Sequence, residues 1–180
     1  MARLTQIADS DATPETATLF DAIRNKIGMV PNLYRVAGHQ PAALSGLLGL
    51  NDALAGGNFD PRTREAIALT VAGANACDYC ASAHAAISSG LNVPSKAIDN
   101  HLAGRSDDPG TAAILSLASR IVTRRGMVSD DDIAQARSAG LTEADIVETV
   151  ANVVANIFTN YLNHVAQTDI DFPVRRTHAA

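Results

Sequence analysis

Apolar residues recur along the chain at steps of three and four. No stretch alternates apolar and polar positions over the length of a strand, so the pattern predicts helices throughout. Leu19, Phe20, Ile23 and Ile27 mark the first helix, which opens at Thr13-Pro14, a capping hydroxyl before a first-turn proline, and stops at Gly28. After Val30-Pro31 the periodicity lapses into an irregular join. A helix from about Pro41 carries Leu44, Leu47, Leu48 and Leu54 on one stripe and closes at Gly56-Gly57. Asp60-Pro61 opens the next, with Glu65 in its second turn and Ile67, Leu69 and Val71 following. Gly73-Ala74-Asn75-Ala76 interrupts it weakly, and Asn75 is suited to cap a new helix that begins at Cys77 and Cys80 and ends at Gly90.

A short helix is expected after Val93-Pro94. The most polar loop, Asp107-Asp108-Pro109-Gly110, leads into a helix with Ile114, Leu117, Ile121 and Val122 that ends at Gly126. Ser129 with Asp132, and Thr142 with Asp145, have capping-box spacing with Asp in place of Glu. The last helix runs to about Gln167. Its apolar positions, Val147, Val150, Val153, Val154, Ile157, Phe158, Tyr161, Leu162 and Val165, cover more than one core-facing stripe, so it is central or packs against a partner subunit.

Composition narrows the class. A chain of 180 residues suits one domain, residues 1–180, and buries a core without covalent staples. Hydrophobic content of 47% with 4% aromatic and no Trp implies a core of Ala, Val, Leu and Ile in closely packed helices, an all-α fold. A net charge of −5, with Arg124-Arg125 and Arg175-Arg176 isolated, argues against nucleic-acid and anionic-membrane surfaces. No run approaches a membrane span, and the polar and acidic residues after Met1 do not begin a signal peptide, so a cytoplasmic location is expected. There, a single close cysteine pair is more often catalytic or metal-binding than a static crosslink.

Both cysteines lie in one motif: Glu65, eleven residues, Cys77-Asp78-Tyr79-Cys80, three residues, His84. On a helix Cys80 and His84 form an i, i+4 pair with Cys77 one turn earlier, so one face carries two thiols and a base. If the helices flanking Asn75 form an antiparallel hairpin, Glu65 and His84 are equidistant from the turn. A carboxylate then orients an imidazole that serves a thiol, and the helix N-terminus adds partial positive charge near the cysteines. Competing readings are a zinc site of Cys77, Cys80 and His84, which needs Glu65 as fourth ligand, and two inert core thiols. A thioredoxin-like motif needs a preceding strand, and Ala81 stands where haem attachment requires histidine. His39, His101 and His178 read as surface or loop residues, His164 as a satisfied core histidine or a site-lining one, and Tyr79 and Tyr161 as packing residues.

The order and every spacing of Glu65, Cys77, Cys80 and His84 resemble the signature of the alkylhydroperoxidase AhpD-like branch of the carboxymuconolactone decarboxylase superfamily. Arg64-Glu65-Ala66-Ile67-Ala68-Leu69, the stretch Asn160-Tyr161-Leu162-Asn163-His164-Val165-Ala166, and Asp169-Ile170-Asp171-Phe172-Pro173 resemble its peroxidase-related members, so the similarity covers most of the chain. The resemblance implies an all-helical, oligomeric protein (dimer, trimer or hexamer). It also implies Cys80 as the thiol that attacks peroxide, Cys77 as the resolving thiol, and Glu65 and His84 as proton relay. Its partners would be a hydroperoxide and a thiol or dithiol reductant, with no cofactor and no metal beyond the redox-active Cys77/Cys80 pair. The best-studied type has a histidine between the cysteines, where this chain has Tyr79, a change that bears on the relay and the reductant. A thiol-dependent hydroperoxide reductase or dithiol oxidoreductase is therefore expected. The alternatives are a non-catalytic helical oligomer whose dithiol binds zinc or senses redox state, and a lyase related to the decarboxylase, against which the cysteine pair counts.

Overall fold

In the computed structural model, which describes residues 2–177, the chain is built of helices with no strand among the described residues. In order they are α1 (Pro14–Ile27), α2 (Asn32–Ala37), α3 (Pro41–Leu54), α4 (Pro61–Ala74), α5 (Asp78–Gly90), α6 (Ser95–Leu102), α7 (Pro109–Thr123), α8 (Asp130–Ser138) and α9 (Glu143–Ala166). None is long and apolar enough to cross a membrane, among the described residues.

The polar starts form as the sequence predicts. Thr13, Asp60 and Asp108 each accept the N–H three residues on, at 3.2, 2.7 and 2.8 Å, with a proline in the first turn after each. Each such cap contributes about 1 kcal/mol. Both capping boxes are complete, Ser129 with Asp132 and Thr142 with Asp145. The expected irregular join after Pro31 is instead α2, whose single buried stripe of Leu33, Val36 and Ala37 is too short to register as a periodicity.

Nor does Asn75 cap α5. Asn75 closes α4, and Cys77 is the cap: its sulfur accepts the Cys80 N–H at 3.4 Å. Between them Ala76 takes a left-handed conformation (φ 52°), with Cys77 N–H bonded to Ala72 O at 2.9 Å and Ala76 N–H to Gly73 O at 3.1 Å. This paired termination normally uses glycine, and an L-residue there costs about 1–2 kcal/mol.

Helix α4 is the centre, packed by α5, α6, α7 and α9 and buried continuously from Ala66 to Ala72. Gly73 permits this closeness, because a Cβ there would fall 1.9 Å from the Leu102 carbonyl oxygen. The approach to α4 is pinned from α9: buried Glu148 accepts the N–H groups of Asn58 and Phe59 at 2.7 and 3.0 Å. The outer face of α9 leaves Val147, Val150, Val154, Phe158, Tyr161 and Val165 exposed, so the surplus apolar positions of this helix are not used by its own core.

The histidine expectations need two corrections. His164 is exposed rather than in the core, because asparagines occupy the inward positions of that part of α9, and its Nε2 meets Asn75 O at 2.9 Å. His101 is buried in α6 rather than on the surface, with its Nδ1 unpartnered, and burial lowers its pKa. His39 is exposed as expected, while His178 lies outside the described residues.

Candidate active site

The α4–α5 hairpin brings Glu65 and His84 together: His84 Nδ1 and Glu65 Oε2 are 2.7 Å apart, with side chains 21% and 17% exposed. Burial works against a charged imidazole here, but the adjacent Glu65 carboxylate overrides it, and the His84 pKa is raised. His84 therefore holds a proton more firmly than a free histidine does.

The two thiols are free and both are 2% exposed, yet they are not equivalent. Cys80 forms part of the wall of a cavity of about 410 Å³, together with Glu65, His84, Tyr34, Asn156 and Thr159; Cys77 does not reach this wall. The Cys77 thiol, hydrogen-bonded to Cys80, lowers the Cys80 pKa. Burial opposes this, and the side chains of Asn163, Thr159 and Asn160 assist it. Asn163 Nδ2 donates to Cys80 Sγ at 3.2 Å, and Thr159 Oγ1 lies 3.9 Å from the same sulfur. The same bond raises Cys77, since its proton is the one held between the sulfurs, and burial adds to the rise. The pair is thus unequal, the thiol at the cavity being the more acidic and the one behind it the less.

The line Glu65, His84, Cys80 is formed at its first link only. No hydrogen bond joins His84 to either sulfur among the described residues, and the lowering of the Cys80 pKa comes from Cys77 and α9. These α9 residues carry a signal in the sequence. Asn152, Asn156, Asn160 and Asn163 fall at steps of four, four and three inside an apolar helix, and Asn152, Asn160 and Asn163 are buried. A polar stripe at core spacing marks a face that serves something other than packing. Attention to the apolar residues of this helix alone overlooks it.

Tyr79, between the cysteines, is a tie. Its hydroxyl donates to Asp171 at 2.7 Å and accepts the Leu33 N–H at 3.0 Å, and its ring meets Phe172 edge-on with centroids 5.9 Å apart. Burial pushes its pKa upward. The C-terminal segment continues along α5: Arg175 N–H bonds to Ser82 Oγ at 2.9 Å and Thr177 N–H to Asp78 at 2.8 Å. Among the described residues, no three His, Cys, Asp or Glu side chains converge as a metal site would require.

Residues 41–124 match the carboxymuconolactone decarboxylase family, a span that contains Glu65, Cys77, Cys80 and His84 but not α9. No curated protein matches the chain. Among solved structures, the alkylhydroperoxidase AhpD core of a peroxidase-related protein from Ralstonia eutropha JMP134 superposes with a TM-score of 0.84, at 22% identity over 94% of this chain and 92% of that one. A peroxidase-related protein from Silicibacter sp. TM1040 gives 0.80, at 21% identity over 93% and 89%. The debrominase Bmp8, as a cysteine-to-alanine variant in complex with 2,3,4-tribromopyrrole, gives 0.78, at 21% identity over 94% and 91%. The chain is an all-α protein of the AhpD-like fold whose residues 41–124 match the carboxymuconolactone decarboxylase family.

Proposed function

We propose that the protein is a thiol-dependent hydroperoxide reductase in which Cys80 is the nucleophile, Cys77 the resolving thiol, and Glu65 with His84 the proton relay. The observation that carries this reading is the asymmetry of the thiols. The one on the cavity wall has its pKa lowered, and the one behind it has its pKa raised.

The Cys80 thiolate attacks the terminal oxygen of the hydroperoxide and the O–O bond breaks. Cys80 becomes a sulfenic acid, and the leaving alkoxide takes the proton that His84 holds against Glu65, departing as the alcohol. The Cys77 sulfur then attacks Cys80 Sγ, its thiol proton joins the departing hydroxide as water, and a disulfide forms. Two thiols lose two electrons, and the hydroperoxide becomes one alcohol and one water. An external thiol or dithiol, of the kind a reducing cytoplasm supplies, returns the disulfide to the dithiol.

The likeness in fold to the debrominase favours a second substrate for the same thiols. Attack of the Cys80 thiolate on an aryl bromine would break the C–Br bond and place bromine on sulfur while the carbon takes the His84 proton. The Cys77 sulfur, losing its proton to His84, then displaces bromide from Cys80, giving arene, bromide and the same disulfide. Titrating free thiols before and after one equivalent of cumene hydroperoxide tests the first reading, whose expected result is loss of both thiols to an internal disulfide. If both thiols survive the peroxide while 2,3,4-tribromopyrrole consumes them with release of bromide, the second reading replaces it.

The exposed stripe on α9 supports a homo-oligomer. Its residues fall at steps of three and four, as in a helix that packs along its length against another, and a contiguous apolar patch of this kind on a folded protein marks an interface.

A further inference from the structure

The cavity holds a charge that peroxide reduction itself does not use. Three charged side chains of Lys, Arg, Asp or Glu line it: Lys26, Arg64 and Glu65. Lys26 is paired with Asp52 outside the wall, and Glu65 is bonded to His84. Arg64 differs, since its Nη1 donates to the Phe59 carbonyl and no carboxylate lies within ion-pair distance of it among the described residues. Half-buried cations without an anion carry an unrecovered desolvation cost, and the rigid fork of a guanidinium matches the two oxygens of a carboxylate.

Its place along the cavity matters as well. The Glu65–His84 bond fixes the hairpin register, which sets Cys80 level with Leu69 and Arg64 five residues beyond. At 1.5 Å per residue that is a separation of about 7.5 Å along α4. The wall is otherwise largely apolar, with Ile27, Leu33, Leu54, Ile87 and Phe172 contributing to it. A volume of about 410 Å³ is far larger than hydrogen peroxide needs, and lies in the range that holds an organic molecule of drug size.

We infer that the cavity takes an organic hydroperoxide bearing a carboxylate, with the carboxylate on Arg64, an apolar body along the wall and the peroxide at Cys80. A carboxylate is repelled by the Cys80 thiolate and attracted by Arg64, so the charge also sets the direction in which the molecule enters. The reaction part of this inference rests on the hydroperoxide reading above, whereas the binding part does not.

The test uses a matched pair, 4-(2-hydroperoxypropan-2-yl)benzoic acid and its methyl ester, in which a benzene ring separates the two groups. Stopped-flow oxidation of the protein's thiols should be at least about tenfold faster for the acid than for the ester, a charge-assisted pairing being worth about 1.5–3 kcal/mol. In Arg64→Gln the acid-to-ester ratio should fall to near one, and in Arg64→Lys it should be intermediate. A purely structural role for Arg64 would slow both compounds and leave the ratio alone. A ratio near one in the unaltered protein, or one that survives in Arg64→Gln, overturns the inference. Calorimetric binding of the unreactive alcohol, 4-(2-hydroxypropan-2-yl)benzoic acid, separates the two levels. If no hydroperoxide oxidises the thiols but the alcohol binds and loses about tenfold in Arg64→Gln, the carboxylate site stands and the reductase reading falls. If the alcohol shows no dependence on Arg64, the site falls.

Discussion

Replacing Asn163 with leucine should raise the Cys80 pKa by about one to two units, and by more than removing His84 does. Asn163 donates directly to the sulfur at 3.2 Å, whereas no hydrogen bond links His84 to it. A hydrogen bond to a charged group is worth about 1.5–3 kcal/mol, and one pKa unit corresponds to 1.36 kcal/mol. The exchange removes the donor to the sulfur and, with it, an Asn163 Oδ1 that is buried with no partner, in a side chain of similar size. The assay is the pH dependence of iodoacetamide alkylation in a Cys77→Ser background, which leaves Cys80 as the single thiol and keeps a hydroxyl beside it. Below its pKa the thiolate fraction, and with it the alkylation rate, should drop roughly tenfold for each unit of rise. An unchanged midpoint in Asn163→Leu, with a shift of a unit or more in His84→Ala, would refute the assignment of thiolate support to α9.

Three further outcomes follow from the structure. Glu65→Gln should lower the His84 pKa, read by NMR, because burial then acts without the opposing carboxylate. Since the folded pKa of His84 is raised, the pair's contribution to stability is complete below the unfolded value near 6.5 and is lost as pH rises through the folded one. The melting difference between Glu65→Gln and the unaltered protein should therefore be larger at about pH 5.5 than at about pH 8.5, and the reverse order would exclude the ion pair. Ala76→Gly should stabilise the protein by up to about 1 kcal/mol in urea unfolding, the relief of a left-handed alanine being partly offset by the freer unfolded chain, and a net loss would show the turn to be unstrained. Light scattering should give a mass above 18.7 kDa that falls to this value in Val154→Asp with Phe158→Lys, whereas a mass of 18.7 kDa at every concentration would contradict the interface on α9.

The helical fold was legible because its starts are written locally. Thr13-Pro14, Asp60-Pro61, Asp108-Pro109 and the two capping boxes each act within four residues. The Glu65–His84 pair was legible because a hairpin with a short turn converts sequence distance from the turn into spatial register. Contacts between remote segments carry no such local signal. Asn163 reaches Cys80 across 83 positions, and Asp171 reaches Tyr79 across 92. His101 and His164 exchanged their expected environments for a related reason, since which side of a helix faces inward depends on the neighbours that cover it. The polar stripe of α9 was visible in the sequence, but its partner sulfur was not.

Trapping the first oxidation product tests the division of labour between the thiols most directly. After one equivalent of cumene hydroperoxide, Cys77→Ser should carry a dimedone adduct on Cys80, located by mass spectrometry, because the cavity-lining thiolate is oxidised and nothing is left to resolve it. Cys80→Ser should remain unlabelled, its remaining thiol being buried and off the cavity wall. An adduct on Cys77 in Cys80→Ser, with none on Cys80 in Cys77→Ser, would contradict the account.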